Sequence, residues 1–366
     1  MSFGRLNILG QRSETEDVKR ETYLKIFALF VIFIYSFLFG SATPRGTLAG
    51  LIRDVGTNEP LAYCNVFLAN TTIGDAADNN GKFVLDKIPF GSYQLVVSHI
   101  GYETVVMDVA ILPGKVKSID IAMNVKAIEG EEIHVIANKN SRQWQCDLKE
   151  FRQNFIGNTE NSTKCRILNP EVISFRREPG TQNLLAFSDQ VIVVENRSLG
   201  YKLDIVLHSF RWGRDGGQYI IYPKYAELEP KNEGEYKKWR VNRAETFRLS
   251  MRDFFASLAV DDLVTQYKLF QVTEGMQGRV NNPVSVDSLH IVTIDSTWGL
   301  RRIQLPGLFR VESRGGMSNL TLKYDYLDFD KWGNIFPANG LSVSGYWGQF
   351  RVADALPFDY RPDQPL

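Results

Sequence analysis

The side chains that could do chemistry are few and lie far apart in this sequence. The most suggestive group is the acidic run "DAADNNG", which covers Asp75 to Gly81. A calcium loop of the EF-hand type, with its invariant glycine at Gly81, would need its first ligand at Ala76 and its closing glutamate at Lys87. Ala76 cannot bind a cation and Lys87 has the wrong charge. The run therefore predicts a turn that joins two strands, because Asn-Gly pairs tolerate positive φ.

The histidines and glycines give no catalytic pattern. No histidine begins an H-x-x-E or H-E-x-x-H sequence, so a zinc peptidase has no support. The segment "GLSVSG", Gly340 to Gly345, has its second glycine one residue too late for a G-x-S-x-G nucleophile elbow, and no Walker or dinucleotide glycine pattern occurs. We therefore predict a protein without enzymatic activity and without a cofactor. The histidines are His99, His134, His208 and His290.

A basic segment is the other candidate site. From Lys231 to Arg252 the chain has seven basic and three acidic residues. The segment is either a docking surface for an anion such as a phosphate-bearing glycan, or a solvated helix face with Trp239 and Phe247 turned inward. It supplies hydrogen-bond donors without a nucleophile, so binding is the most that it predicts. The candidate anion-docking residues are Lys237, Lys238, Arg240, Arg243, Arg248 and Arg252.

Helices must position this basic segment. Ser250 with Asp253 three residues later is typical of a capping box, so we predict two helices that meet near Leu249. An earlier helix is predicted in "SRQWQCDLKEFRQNFIG", where apolar residues recur at helical spacing. This stripe is made of Trp144, Leu148, Phe151 and Phe155.

The chain between residues 46 and 125 is divided into short β runs by turn residues. Tyr93, Leu95 and Val97 alternate in one run, so each such strand has one buried side. Helical periodicity is missing between the runs. The pattern predicts an antiparallel sandwich of two sheets.

The same residues carry a family resemblance. The elements are the G-x-(I/V)-x-D opening from Gly50 to Asp54, "EPLAYCNV", the N-G-x-F turn that ends at Phe83, "IPFGSYQL" and "HIGYE". In this order they resemble the carboxypeptidase regulatory-like domain, a transthyretin-like sandwich. The resemblance covers about the first third of the chain after the N-terminal apolar segment. It implies a non-catalytic domain that accompanies exported enzymes, receptors and envelope proteins.

We therefore predict a mostly β chain: an N-terminal seven-stranded-type antiparallel β-sandwich followed by a β-rich α+β domain. The predicted boundaries are a signal peptide at 1–42, the sandwich at 43–127, a linker at 128–140 and the second domain at 141–366. The rest of the second domain again shows strand patterns, with a hairpin turn at Asp215 to Gly217.

The N-terminus predicts export. The apolar run from Ile26 to Phe39 is shorter than the roughly 20 residues of a membrane-spanning helix, and Gly40 and Ala42 supply small residues for cleavage after Ala42. An uncleaved signal anchor is the alternative. The acidic residues before the run suggest a translation start at Val18, which would leave a short basic leader.

Three cysteines allow at most one internal disulfide. Cys146 and Cys165 are the candidate pair, and the sequence leaves open whether they approach closely enough to bond. Cys64 lies in an alternating strand and is expected to be buried as a small apolar residue.

Charge and composition narrow the partners. With 42 basic and 42 acidic residues, no overall field would draw the chain to nucleic acid, and membrane contact is expected only through the N-terminal signal or anchor. We predict an exported protein, in the periplasm or at the outer membrane of a Gram-negative-type bacterium, that binds or scaffolds an unknown envelope protein or glycan. The alternatives are a hydrolase with its site in the C-terminal domain, or an accessory glycan binder. The glycan binder would use Trp212, Trp298, Trp332 and Trp347.

Overall fold

The computed structural model describes residues 45–112, 114–126, 141–260, 266–275, 278–296 and 299–362. Strands dominate these residues, and the prediction of a mostly β chain is confirmed. Within these ranges, no helix has the length and apolar character needed to cross a membrane. The predicted cleavage position at Ala42 and the predicted linker at 128–140 lie outside the described residues.

Seven strands form the predicted sandwich. They are β1 (Arg45–Asp54), β2 (Asn65–Leu68), β3 (Gly74–Ala76), β4 (Lys82–Pro89), β5 (Gly91–Ser98), β6 (Val105–Ile111) and β7 (Val116–Met123). One sheet has the order β4-β1-β7 and the other β3-β2-β5-β6. The inward residues of each strand, such as Leu95 and Val97, share one apolar core. One pair departs from the antiparallel prediction, because β1 and β7 run parallel with Asp54 opposite Met123.

A helix on a six-stranded sheet follows the sandwich. The helix is α1 (Arg142–Phe155), and the strands are β8 (Cys165–Ile167), β9 (Ser174–Arg177), β10 (Leu184–Phe187), β11 (Ile192–Asn196), β12 (Tyr201–Gly213) and β13 (Gly216–Glu227). The predicted apolar stripe faces the sheet, where Phe151 lies 4.8 Å from the ring centre of Phe210. The Ser141 hydroxyl caps the helix by accepting the Trp144 N–H at 3.1 Å.

Two helices come next, as the sequence predicts. They are α2 (Glu233–Arg248) and α3 (Met251–Ala259), and they meet at Leu249. Ser250 caps α3 by accepting the backbone N–H of Arg252. The Asp253 carboxylate accepts a hydrogen bond from the Tyr267 hydroxyl at 2.6 Å.

The remaining strands form two sheets around α3. They are β14 (Lys268–Gly275), β15 (Gly278–Val284), β16 (His290–Asp295), β17 (Leu300–Gln304), β18 (Leu308–Ser313), β19 (Gly316–Leu322), β20 (Leu327–Phe329), β21 (Ile335–Phe336) and β22 (Leu341–Gly345). Their orders are β15-β14-β18-β19-β22 and β16-β17-β20-β21. Phe254 and Phe255 of α3 are fully buried in the core of these sheets.

The sandwich packs directly on the long β12–β13 hairpin. The backbone N–H of Asn70 donates to the Pro223 carbonyl at 2.8 Å. Beside it, Phe67 and Val96 bury a small apolar cluster against Val206 of β12. The described residues from Arg45 onward form one compact unit.

The predicted disulfide does not form. Cys64, Cys146 and Cys165 are all free thiols. Cys146 lies on the exposed side of α1, whereas Cys165 is fully buried in the core under that helix. Burial raises the pKa of the Cys165 thiol to about 12. The two side chains therefore lie in different environments, and the prediction of a pair is wrong.

Candidate docking surface

Most of the basic segment forms α2, and Arg252 lies in the first turn of α3. The end residues of α2 explain where this helix begins and ends. The Asn232 side chain accepts the Glu235 N–H at 2.9 Å and caps the N-terminus. Glu233 and Glu235 lie in the first turn and Arg248 in the last, which matches the direction of the helix dipole. The helix is thus stabilised locally at both ends.

The inner side of α2 is fixed to the central sheet. Trp239 is buried, and its indole N–H donates to the Arg197 carbonyl at 2.9 Å. Gly200 has a φ of +72°, and a Cβ there would lie 2.3 Å from the Trp239 ring. Only glycine allows both this backbone and this approach. The helix cannot shift on its sheet without breaking these contacts.

Arg243 belongs to this inner side, and its prediction as a docking residue is wrong. Its Nε donates to the Leu199 carbonyl at 2.6 Å, and its Nη1 lies 2.8 Å from the Glu227 carboxylate. The guanidinium also stacks over the Tyr201 ring at 3.9 Å. The reason is helical spacing, since residue 243 lies one turn from Trp239 on the same face. Arg243 is a structural clamp.

Arg252 is half-buried and its guanidinium is engaged inside the protein, so the docking prediction fails for a second residue. Its Nη1 donates to the Pro357 carbonyl at 2.9 Å, and its guanidinium lies 5.3 Å from the centre of the Phe247 ring. Burial lowers the pKa of Arg252 to about 10. Its side chain holds the C-terminal segment against α3.

The other four predicted residues do share an exposed surface. Around Val241, which is 67% exposed, they form a patch that we call the basic face. Glu233 and Glu245 pair with two of its cations on the same helix, at 3.6 and 3.9 Å. Four cations against two carboxylates leave an excess of positive charge. The basic face consists of Lys237, Lys238, Arg240, Val241 and Arg248.

The acidic run in the sandwich is a turn, as the sequence predicts. Asp78 Oδ1 accepts the backbone N–H groups of Asn80 and Lys82, both at 2.8 Å. Gly81 follows with a φ of +72°. The turn connects β3 with β4 and so passes from one sheet to the other. Among the described residues, no group of three or more His, Cys, Asp and Glu side chains could hold a metal ion.

The family model of the CarboxypepD_reg-like domain matches residues 48–135. This part of the chain is a carboxypeptidase regulatory-like domain. The resemblance predicted from the sequence is confirmed. Curated protein sequences give no match to the chain.

Three solved structures illustrate what part of this chain is similar to. A type II cohesin–X-dockerin complex from Acetivibrio cellulolyticus is 24% identical, over 22% of this chain and 58% of that chain, with a TM-score of 0.20. A minor pilin of Streptococcus agalactiae is 19% identical, over 24% of this chain and 47% of that chain, with a TM-score of 0.21. The major pilin subunit of Bacillus cereus is 13% identical, over 23% of this chain and 30% of that chain, with a TM-score of 0.19. In each case the match spans less than two thirds of the solved chain.

The tryptophans that the structure describes outside the regulatory-like domain do not form a row of exposed rings. Trp347 is 5% exposed and donates its indole N–H to the Leu249 carbonyl. Trp332 is covered by Arg361, whose guanidinium lies 3.8 Å from the ring centre. Trp212 packs against the central core, and Trp298 lies outside the described residues. The prediction that Trp347 offers an exposed ring for stacking on a glycan is therefore wrong.

The regulatory-like domain has an exposed apolar group that the sequence reasoning missed. Tyr63 is 68% exposed and Ile100 is 79% exposed. Val55 and Val125 are also exposed, in two other segments of the same domain. The only sequence signal is that apolar residues occur within predicted turns, where polar residues are usual.

Proposed function

We propose that this protein is exported to the envelope of a Gram-negative-type bacterium and acts there by binding or scaffolding, without catalysis. The basic face of α2 is its docking surface, and an anionic macromolecule is its partner class. The apolar run from Ile26 to Phe39, followed by small residues, supports export. The regulatory-like domain, non-catalytic in its family, supports a binding role.

The observation that carries the docking proposal is the contrast between the two sides of α2. Trp239 and Arg243 fix the inner side through hydrogen bonds to backbone carbonyls. On the outer side, Lys237, Lys238 and Arg240 are exposed. A partner that binds these cations would not have to order the helix first, which lowers the entropy cost of binding.

A charge-reversal experiment tests the docking surface. The triple variant Lys237→Glu, Lys238→Glu, Arg240→Glu is compared with wild type for salt-dependent retention on heparin-agarose. A matched control reverses three exposed cations elsewhere in the described residues, and so changes the net charge by the same amount. The control residues are Lys115, Lys117 and Arg279.

We expect the α2 variant to elute at clearly lower salt than the control variant, because the control keeps the basic face. Melting temperatures of both variants should stay close to wild type, since exposed charges contribute about 0 to 1 kcal/mol each. Equal elution of the two variants would show that retention follows net charge only, and would refute the docking surface.

Export has a separate test. The intact mass of the protein isolated from its cells should correspond to a chain that begins at Thr43. A mass that still includes Phe27 would contradict cleavage and support the signal anchor instead.

A further inference from the structure

Four loops of the regulatory-like domain meet at one end of the sandwich. β1 ends at Asp54 opposite the end of β7, and β4 begins at Lys82 opposite Leu51 of β1. In the other sheet, the β5–β6 loop lies at the same end, since Tyr102 of this loop donates its hydroxyl to Asp54 Oδ2 at 2.7 Å. We call this surface the loop end. It comprises residues 53–64, 75–82, 99–104 and 124–126.

Backbone contacts bring together the segments that carry the exposed apolar side chains of the loop end. The Val55 N–H donates to the Met123 carbonyl at 3.0 Å, next to Val125. Val125 forms a β-bridge with Tyr102, two residues after Ile100. Val55, Ile100 and Val125 thus come from three segments to one surface, as in the centre of a protein interface.

Tyr63 adds an independent sign that this surface does more than close the sandwich. Its φ is 60°, in the left-handed region that residues other than glycine, asparagine and aspartate rarely occupy. The ring is nonetheless 68% exposed, so its own packing does not explain the strained backbone. An aromatic ring held outward in this way is typical of a binding anchor.

The charge of the loop end is opposite to that of the basic face. The loop end contains five acidic and three basic residues, an excess of two negative charges. The basic face has four cations against the two carboxylates of Glu233 and Glu245, an excess of two positive charges. Each surface also has exposed apolar side chains, which are Val55, Ile100 and Val125 on the loop end and Val241 on α2. The two surfaces are therefore opposite in charge, and both expose apolar groups.

We propose that the loop end of one copy of this chain binds the basic face of a second copy. This proposal rests on the proposed function, because it names the negatively charged loop end of a second copy as the anionic partner of α2. The contact joins two different surfaces, so each copy keeps one free surface of each kind after pairing. Such a head-to-tail contact leads to chains or closed rings and not to a simple symmetric dimer.

Sedimentation velocity over a dilution series of the protein isolated from its cells tests this arrangement. We expect wild type to form species larger than a dimer as concentration rises. Ile100→Asp with Val125→Asp replaces two exposed apolar side chains of the loop end, and Val241→Asp replaces the exposed valine of the basic face. Each variant alone should be monomeric, because its one intact surface finds no partner.

Mixing the two variants gives the decisive result. The intact basic face of the loop-end variant can bind the intact loop end of the α2 variant, so the mixture should form dimers and nothing larger. Val292→Asp, an exposed change on β16 outside both surfaces, should associate like wild type. A monomeric mixture, or wild-type-like association of either variant, would overturn the proposal.

Heparin retention separates this proposal from the proposed function. The loop-end variant keeps the basic face and should elute like wild type. If wild type is monomeric at every concentration while the α2 charge reversal still lowers retention, the self-association is wrong and the docking surface remains. If the α2 charge reversal also leaves retention unchanged, both proposals fail.

Discussion

Thr72 and Asp359 are hydrogen-bonded, although 287 residues separate them in the chain. The Thr72 N–H donates to Asp359 Oδ1 at 3.1 Å, and the neighbouring Phe358 N–H donates to the Asn70 carbonyl at 2.6 Å. The same C-terminal segment reaches the central sheet, where Asn196 donates its side-chain amide to the Ala353 carbonyl. The C-terminal residues therefore join the regulatory-like domain to the sheet that supports α2.

The sandwich should still fold without this connection, because its core is made of its own strands. We expect a fragment of residues 43–127 to melt cooperatively, at a lower temperature than the complete chain because the contacts around Thr72 are lost. Circular dichroism during heating measures this. If the fragment lacked a cooperative transition while the complete chain had one, the predicted domain boundary would be wrong.

Arg243 and Arg240 lie on one helix and should respond differently to truncation. Arg243→Ala leaves the buried Leu199 carbonyl without its arginine donor, while the Gly200 carbonyl keeps the Leu228 N–H. We expect the free energy of unfolding to fall by about 3 kcal/mol. Arg240→Ala, the exposed control, should cost at most about 1 kcal/mol. Urea unfolding of both variants checks this, and similar losses would contradict the clamp assigned to Arg243.

The difference between these arginines shows what the sequence could predict. The alternation of Leu95 and Val97 and the stripe on α1 identify buried faces, because local periodicity decides which side of an element is apolar. The same periodicity places Arg243 one turn from Trp239. The docking prediction considered only its charge, and therefore grouped Arg243 with the exposed cations. Its carbonyl partners, Leu199 and Gly200, are distant from it in the chain.

The direction of β7 and the loop end were beyond sequence reasoning for a related reason. The alternation within β7 is the same whether it pairs parallel or antiparallel with β1, so pairing direction depends on the path of five intervening strands. The residues of the loop end come from four separate segments. Only the closed sandwich brings Val55, Ile100 and Val125 to one surface.

Asp354 should make stability depend on pH. Burial raises the pKa of this carboxyl, although hydrogen bonds from Thr159 and Asn161 act in the opposite direction. A carboxyl whose pKa is raised in the folded state stabilises the fold at low pH, where it is protonated. This contribution is lost as the pH rises above 3.8, the ordinary pKa of an aspartate in the unfolded chain, and through the raised pKa of the folded state. Asp354→Asn lacks this titration.

We therefore expect the free energy of unfolding of Asp354→Asn to improve relative to wild type as pH rises from about 4 to 7. Urea unfolding at both ends of this range measures the difference. Glu160→Gln, a change at an exposed carboxylate in the adjacent 3₁₀ turn, is the control. A constant difference for Asp354→Asn would show that burial does not raise this pKa.

Calcium should not stabilise the turn at Asp78. Asp78 Oδ1 already accepts two backbone N–H groups, and Asp75 Oδ1 accepts the Ala76 N–H. A cation would have to compete with these hydrogen bonds and would lack the closing carboxylate of a calcium loop. We expect the same melting temperature with calcium and with a chelator. A rise that the chelator reverses would show that a site exists.

Tyr63 separates the stability of the sandwich from its binding role. Asparagine occupies the left-handed region more readily than tyrosine, so Tyr63→Asn should raise the free energy of unfolding by about 1 kcal/mol. Tyr324→Asn, at an exposed tyrosine outside the loop end and outside the positive-φ region, should bring no such gain. Urea unfolding compares the two variants.

The same Tyr63 variant should weaken self-association in sedimentation velocity, because the exposed ring is lost. If the Tyr63 variant were more stable than wild type but self-associated to the same extent, the backbone strain at Tyr63 would be confirmed. Tyr63 would then not belong to the interface.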